Sequence, residues 1–337
     1  MPKFEINYLL TIFSSPLLVD SSLILVLAAL EDYLIGDPRG WLHPVQVMGQ
    51  LIQRFSKLLI KFCLPGWQRR LAGILLCLLL IIGSGLCGWL IIFCCTMIHP
   101  VLGLVAKTIL LASCFAGKSL RLAVQDVLQP LQKDNLTEAR SRLSLYVGRD
   151  TDSLSQPEIL RALLETVAEN AVDGVTAPLF YAILGSFAPF GAVPLALAYK
   201  AASTLDSMIG YLREPYTDLG WFSAQLEDRL TWLPCRLTVL TLSLFSGNPL
   251  QVWNICRRDG VKDPSPNSGW SEATYAAILK VQLGGKNTYQ GVLKEKPLLG
   301  DALESISVDK INYALTLTHY CFLTWLMIAI FTQWQLS

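Results

Sequence analysis

Long uncharged apolar runs alternate along this chain with polar stretches rich in acidic residues, arginine and proline. The clearest run, residues 71–98, reads LAGILLCLLLIIGSGLCGWLIIFCCTMI and holds no charged side chain. A membrane-spanning helix needs about 20 mostly apolar residues, so this run predicts one. Beyond His99-Pro100 a second run, residues 101–116, is interrupted only by Lys107. Together they predict either a hairpin of two spans turning near Pro100 or one long span followed by an interfacial helix. Residues 16–35 predict a first span, although Asp20, Ser21 and Ser22 weaken its start. One Lys and one Glu precede it and no small-residue cleavage site follows, so it reads as a retained span and not a signal peptide. Residues 313–334 predict a last span, with Tyr and Trp near its ends as membrane interfaces favour.

Residues 178–202, PLFYAILGSFAPFGAVPLALAYKAA, are apolar but carry Pro189, Gly191 and Pro194, which break a regular helix. Broken backbone survives at membrane depth only where protein or a water-filled cavity satisfies it, so this stretch predicts a kinked or re-entrant element beside a site. A further run at 232–245 is too short to assign. Residues 117–150 predict a soluble amphipathic helix, with Leu120, Val124, Val127, Leu128 and Leu131 at helical spacing. The expected architecture is therefore all-α, a polytopic integral membrane protein of roughly four to five spans. It forms one domain over residues 1–337, with polar segments near 36–70, 117–177 and 249–311. Arg54, Lys57, Lys61, Arg69 and Arg70 precede the 71–98 run. Arg257, Arg258, Lys262, Lys280, Lys286, Lys294, Lys296 and Lys310 precede the last span. The positive-inside rule places both groups, and a site carried by these segments, on the cytoplasmic side.

Composition supports the lipid-facing reading: hydrophobic residues make up 53% and charged residues 16%, against about a quarter charged in a soluble domain. A net charge of +1 and the lack of a basic stripe with interleaved aromatics set nucleic acid aside as a partner. Of nine cysteines, Cys63, Cys77, Cys87, Cys94, Cys95 and Cys114 lie in or beside apolar runs, and no CxxC occurs. They read as small hydrophobes, not as a disulfide framework or zinc site.

The polar motifs carry the chemistry. Glu165, Glu169 and Asp173 in LLETVAENAVDGVTAPLF stand at i, i+4 and i+8. On a helix each step of four advances about 40° past a full turn, so the three make one acidic stripe. Like charges at this spacing repel, and the stripe runs into an apolar segment, so it wants an Arg, a Lys or a metal. Oxygen ligands of this kind suit Mg²⁺; the stripe reads equally as a solvated helix face. AYKAASTLDSMIGY places Lys200, Ser203, Thr204, Asp206 and Ser207 in apolar surroundings, with Tyr199, Ser203, Asp206 and Gly210 on one helix face. A Lys and an Asp there are costly unless paired or functional.

In GDPRGWLHPVQVMG, Asp37-Pro38 and His43-Pro44 fix a tight loop. DPSPNSGWSEATYAAIL gives turn residues Pro264, Pro266, Asn267 and Gly269. A helix follows, capped by Ser268 or Ser271 and with Glu272 in its first turn. Such a helix start is a ready anion site, and LGGKNTYQG adds Gly284, Gly285 and Lys286 as a flexible basic loop. No GxxxxGK[ST] phosphate loop exists. Arg140, Arg142, Arg149 and Asp150 close the 117–150 segment; arginines there suit phosphate or carboxylate, the acidic stripe included.

Taken in order, five motifs resemble one family, the CobD/CbiB family of cobalamin biosynthesis. They are Gly36-Asp37-Pro38 with His43-Pro44-Val45; Gly148-Arg149-Asp150-Thr151; Glu165 to Asn170 with Asp173-Gly174; Thr204 to Met208 with Gly210-Tyr211; and Ser265-Pro266-Asn267 with Gly269. The resemblance covers nearly the whole chain, residues 20–300. It implies a multi-pass enzyme of the bacterial cytoplasmic membrane, an ATP- and Mg²⁺-dependent amide ligase. Such an enzyme joins the free propionate carboxylate of adenosylcobyric acid, a corrinoid, to (R)-1-amino-2-propanol or its O-phosphate. Neighbouring membrane enzymes of the cobalamin pathway are implied as partners.

On this resemblance Glu165, Glu169 and Asp173 hold the metal, while Glu165, Asn170, Ser265, Asn267 and Lys286 bind ATP. Lys200, Asp206 and Arg149 are catalytic, and Asp37, His43, Ser203 and Thr204 contact substrate. The chain departs from the family pattern at Ser203, where Asn is usual, and at Glu227-Asp228, where an Asp pair is usual. Competing readings are a non-catalytic regulator like the related AmpE-type membrane proteins, a CDP-alcohol phosphotransferase and a transporter. Asp173-Gly174 lacks the Ala-Arg pair and spaced Gly and Asp residues of the phosphotransferases, and no inverted repeat supports a transporter.

Overall fold

The computed structural model describes residues 15–37, 40, 43–211 and 213–336. It divides into two compact units. The first takes the described residues up to Ala116, Ala177–Leu230 and the chain from Leu323 onward; the second takes Gly117–Thr176 and Thr231–Phe322.

The first unit is built around the uncharged helix Trp67–Ile98. Its outward side exposes Leu75, Leu79, Ile82, Leu86 and Leu90, an apolar surface that suits lipid and not water. Its inner side is a stripe of small and apolar residues, Gly73, Leu76, Cys77, Leu80, Gly85 and Gly88. These let the Ala192–Ile209 helix approach closely, with Pro194 and Leu197 over Gly85 and Gly88. The helix Pro44–Phe62 opens with Pro44 at its first position, where a missing N–H costs nothing, and buries Met48, Ile52 and Ser56. Ile52, Leu76, Cys77, Leu80, Leu205, Ile209 and Leu219 form one buried cluster.

Pro100–Ala112 folds back along Trp67–Ile98, so the two runs form a helical hairpin turning at His99-Pro100. His99 caps the second helix by accepting the Val101 N–H on Nδ1 at 3.2 Å. The expected break in 178–202 is present: one helix ends at Ser186, the next begins at Ala192, and Gly191 between them takes a φ of 81°. The buried Gln333 is paired: it donates to Ser186 Oγ at 2.6 Å.

The span count differs from the expectation. Among the described residues two helices, Trp67–Ile98 and Val308–Leu336, are long and apolar enough to cross a membrane, or three if Pro100–Ala112 and Gly117–Gln132 together make one broken span. Ser15–Leu34 is a 20-residue helix, but Glu31 and Asp32 raise its cost of entering hydrocarbon. Pro100–Ala112, at 13 residues, is too short to span alone. The short apolar run at 232–245 is the second half of a 25-residue helix, Trp221–Phe245.

The second unit is mostly helical, in keeping with the expected helical fold, and adds one two-stranded β-hairpin. The segment read as one amphipathic helix is two, Gly117–Gln132 and Leu136–Leu143: the chain turns at Asp134, which takes a φ of 56°, and Asn135 caps the second helix by accepting the Glu138 N–H at 3.1 Å. The stretch read as a flexible basic loop is a strand. Leu283–Tyr289 pairs antiparallel with Val292–Leu299 as a hairpin, with an irregularity between Leu283 and Gly285. Gly284, at φ 83°, sits in that bulge; a side chain there would meet the Pro297 carbonyl, so glycine is required twice over. Helices Gln156–Asn170, Pro249–Asp259 and Ser268–Leu279 pack around the hairpin.

A Cβ at Gly73 would collide with the Leu219 carbonyl, a backbone atom that cannot swing away. Gly73→Ala is therefore expected to lower stability by about 1–3 kcal/mol. Gly83→Ala on the same helix, where the added methyl meets open space, should not lower it. Thermal unfolding in one detergent compares the two.

Candidate active site

The Gln156–Asn170 helix starts at a capping box, with the Ser155 N–H donating to Glu158 Oε2 at 2.7 Å. Its inner face is apolar, Ile159, Ala162, Leu163, Val167 and Ala168, with one exception: Glu165, 2% exposed. A carboxylate this deep persists only if it is paired and hydrogen-bonded. Glu165 Oε2 accepts from Arg149 Nη2, and Oε1 accepts the Gly284 N–H at 2.9 Å with Arg161 Nη1 at 3.7 Å. Arg149 also donates to Asn287 Oδ1 at 2.9 Å. Arg161 donates to the Gly284 and Lys286 carbonyls and to Asn287 Oδ1. Next along the chain, the Asp150 carboxylate accepts the Gln290 and Gly291 N–H groups at 2.9 and 2.8 Å, and its own N–H donates to the Thr288 carbonyl at 2.8 Å. The β-hairpin is thus stapled to the Gln156–Asn170 helix by both charged residues of the Gly148–Thr151 motif. The bulge at Gly284 takes that residue's N–H and carbonyl out of the strand ladder and turns them to Glu165 and Arg161.

A second charged node adjoins the first. The Ser268–Leu279 helix is buried on nearly every side, and its Glu272 is fully buried. Lys296, on the second strand, brings Nζ within 3.4 Å of Glu272 Oε1, while Oε2 has no hydrogen-bond partner. Before this helix, Asp263 Oδ1 accepts the Ser265 N–H at 3.0 Å, and Ser265 Oγ accepts the Ser268 N–H at 3.3 Å. The expected cap at Ser268 or Ser271 is therefore supplied from upstream, by Ser265 and Asp263. Ser271 instead donates to the Ala168 carbonyl at 2.6 Å, tying this helix to the Glu165 helix. Arg236 braces the turn: it donates to the Pro266 carbonyl at 2.9 Å and lies 4.2 Å over the Trp270 ring.

The electrostatics follow from burial and crowding. Burial pushes the Glu272 carboxyl well above the usual carboxylate range, and Glu165, Glu169 and Asp263 push the same way against the pull of Lys296. Burial also disfavours the Lys296 ammonium, but Glu272, Glu169, Asp263 and Glu165 outweigh it and hold its pKa above the usual lysine value. Glu169 reaches solvent yet stands within dense protein. Poor solvation raises its pKa, Lys296 opposes the rise, and Asp263 and Glu165 add to it. Because it stays accessible, water tempers that shift, and Glu169 is the carboxylate of the group that a ligand meets first.

Of the expected residues, this unit brings together Arg149, Glu165, Glu169, Ser265 and Asn267. The regular α-helix ends at Asn170, and Asp173 lies in the wider π-helical turn Ala171–Thr176 that continues it. Asn170 donates to its own helix at the Thr166 carbonyl, 2.9 Å away. Lys286 is exposed, and its carbonyl accepts from Arg161. Lys200, Ser203, Thr204 and Asp206 lie on the Ala192–Ile209 helix of the other unit, where Thr204 Oγ1 donates to the Lys200 carbonyl at 2.6 Å. His43 heads the Pro44–Phe62 helix in that same unit, its Nε2 2.8 Å from Asp37 Oδ1, close enough for ion pairing but not aligned as a hydrogen bond. Pro38 lies outside the described residues. Sequence reasoning missed Arg161, Asn287, Asp263 and Lys296 and saw Glu272 only as a first-turn residue. The available signal was a lone carboxylate in the otherwise small and apolar SGWSEATYAAIL.

A model of the CobD/CbiB protein family matches residues 25–318. The chain belongs to that family. It is 58% identical over 304 residues to the cobalamin biosynthesis protein CobD of Synechocystis, covering 90% of this chain and 89% of that one. It is 42% identical to the CobD of Halalkalibacterium halodurans, covering 87% of this chain and 90% of the relative. It is 41% identical to the cobalamin biosynthesis protein CbiB of Salmonella typhimurium, covering 85% and 89%. No solved structure matches the chain. All the motifs from Asp37 to Gly269, and the hairpin with Lys296, fall inside the span that this CobD/CbiB match covers.

The node fits a bound cation. Four carboxylates (Glu165, Glu169, Asp263, Glu272) face three cationic groups (Arg149, Arg161, Lys296), and the buried Oδ2 of Asp263 and Oε2 of Glu272 have no partner. Among the described residues no three Asp, Glu, His or Cys side chains form a ready metal cage.

Removing the ammonium from the buried pair leaves an uncompensated carboxylate. Lys296→Met should cost about 3–5 kcal/mol, and adding Glu272→Met should restore most of it. Chemical unfolding of the two variants beside the unmodified protein measures both effects.

Proposed function

We propose that this CobD/CbiB protein is an ATP-dependent amide ligase that joins the free propionate carboxylate of adenosylcobyric acid to (R)-1-amino-2-propanol or its O-phosphate. The observation that carries the proposal is the stapled charged node of the second unit, in which the family's Arg149-Asp150 and Glu165–Asn170 motifs set an accessible carboxylate, Glu169, beside Lys296 and Asp263.

A carboxylate does not condense with an amine at neutral pH without activation. Transfer of the terminal phosphoryl group of ATP to the corrinoid carboxylate forms an acyl phosphate and ADP. The amine nitrogen then attacks the acyl carbon, the C–O bond to phosphate breaks, and amide, phosphate and a proton are released. Mg²⁺, when bound, neutralises phosphate charge. The chain's own residues do the rest. Glu169 and Asp263 are the carboxylates that would hold the ion. Lys296 faces developing negative charge. Glu165 and Arg149 satisfy one another and hold the hairpin, so their contribution is positioning. Ser265 and Asn267 shape the turn at the start of the Ser268–Leu279 helix, whose first N–H groups suit phosphate.

Asp173, Asn170 and Lys286 stay as flanking contacts of the nucleotide, and Lys200, Asp206, Asp37, His43, Ser203 and Thr204 as the corrinoid- and amine-facing set. The enzyme acts in the bacterial cytoplasmic membrane with this node facing the cytoplasm.

The test is to incubate detergent-purified protein with adenosylcobyric acid, either form of the amine, ATP and Mg²⁺, and to follow product by mass spectrometry. Amide formation that requires ATP is expected, and Glu169→Gln should lower its rate by about 100-fold. Folded protein that forms no amide with either amine overturns the proposal. Normal Glu169→Gln activity with unchanged Mg²⁺ dependence removes Glu169 from the metal role.

A further inference from the structure

The first unit contains an apolar groove of about 460 Å³ lined by Val47, Met48, Leu51, Gly83, Cys87 and Leu197, among others. Protein interiors rarely leave voids larger than a water molecule, and a lining this poor in polar groups gives water nothing to bond. The groove runs along the middle of Trp67–Ile98, the helix whose outward side is apolar and suited to lipid. The medium that reaches it is hydrocarbon. Val47, Met48, Leu51 and Arg54 succeed one another at helical spacing on Pro44–Phe62, so the stripe that lines the groove ends in an exposed guanidinium. Lys57 and Lys61 follow on the next turns, also exposed. Apolar length closed by cationic groups at one end is the complement of a fatty tail with an anionic head. A corrinoid, edged with amides, does not match the lining.

We infer that this groove holds one acyl chain of an anionic membrane phospholipid, with its phosphate at Arg54 and Lys57. The lipid is a resident component of the first unit and fills the void between Pro44–Phe62 and Trp67–Ile98.

Gly83 supplies the test. It lines the groove, and a Cβ placed there meets no atom within 4 Å, so Gly83→Leu starts its side chain in open space at the groove. Native mass spectrometry of the whole chain, extracted gently from a membrane containing phosphatidylglycerol and phosphatidylethanolamine, reads bound lipid directly. The unmodified protein and Gly83→Ala should each carry one phosphatidylglycerol. Gly83→Leu should lower its occupancy by about tenfold through steric exclusion, with an unchanged thermal midpoint in detergent showing that it folds. Arg54→Gln should keep a lipid but lose the preference for the anionic head. Equal lipid in the Gly83→Leu and unmodified proteins, detergent alone in the groove, or a second copy of the chain in place of lipid overturns the inference.

Discussion

Glu165 is the residue on which the second unit's site depends. It is an acid buried on the apolar face of a helix, a placement that is unfavourable unless each oxygen finds a partner. Arg149 takes one oxygen, and the Gly284 N–H with Arg161 takes the other. Breaking one side of such an arrangement strands a charge, which costs far more than the intact pair contributes. The local backbone is shaped to meet this demand. Gly284 occupies a bulge at positive φ, and Arg149 and Asp150, adjacent in sequence, hold the turn end of the hairpin at Asn287 and at Gln290-Gly291.

From this staple the chemistry follows by position. The hairpin is fixed by its first strand, and its second strand then delivers Lys296 to Glu272. Ser271 fastens the Glu272 helix to the Glu165 helix. Five elements distant in sequence therefore present one cluster, with more carboxylate than cationic charge and with Glu169 at its accessible edge. A cluster so constituted has room in its charge balance for a further cation.

Much of this was legible in the chain. The Leu71–Ile98 run and its turn at Pro100, the break at Pro189, the last span, and Glu165 and Glu169 as neighbours on one helix all follow from local periodicity and composition, which one helix carries by itself. What was not legible depends on contacts between segments. LGGKNTYQG looks flexible because glycine and lysine are poor strand formers, but Arg149, Arg161 and Asp150 supply from elsewhere the pairing that makes it a strand. The spacing argument for Asp173 assumes a uniform helix, and the change to a π-helical turn at Ala171–Thr176 was not visible in the sequence. Lys296 read as one of many basic residues before the last span; only the buried partner distinguishes it. Hydrophobic runs alone do not weigh the acids in Ser15–Leu34 or the shortness of Pro100–Ala112.

The most direct measurement is hydrogen–deuterium exchange of the hairpin amides in Glu165→Gln, a change that keeps shape and removes charge. The staple predicts that amides of 284–298 lose protection, Gly284 above all, while those of Trp67–Ile98 exchange as before. Hairpin protection equal to that of the unmodified protein would contradict it, and the site would then owe its form to the strands themselves.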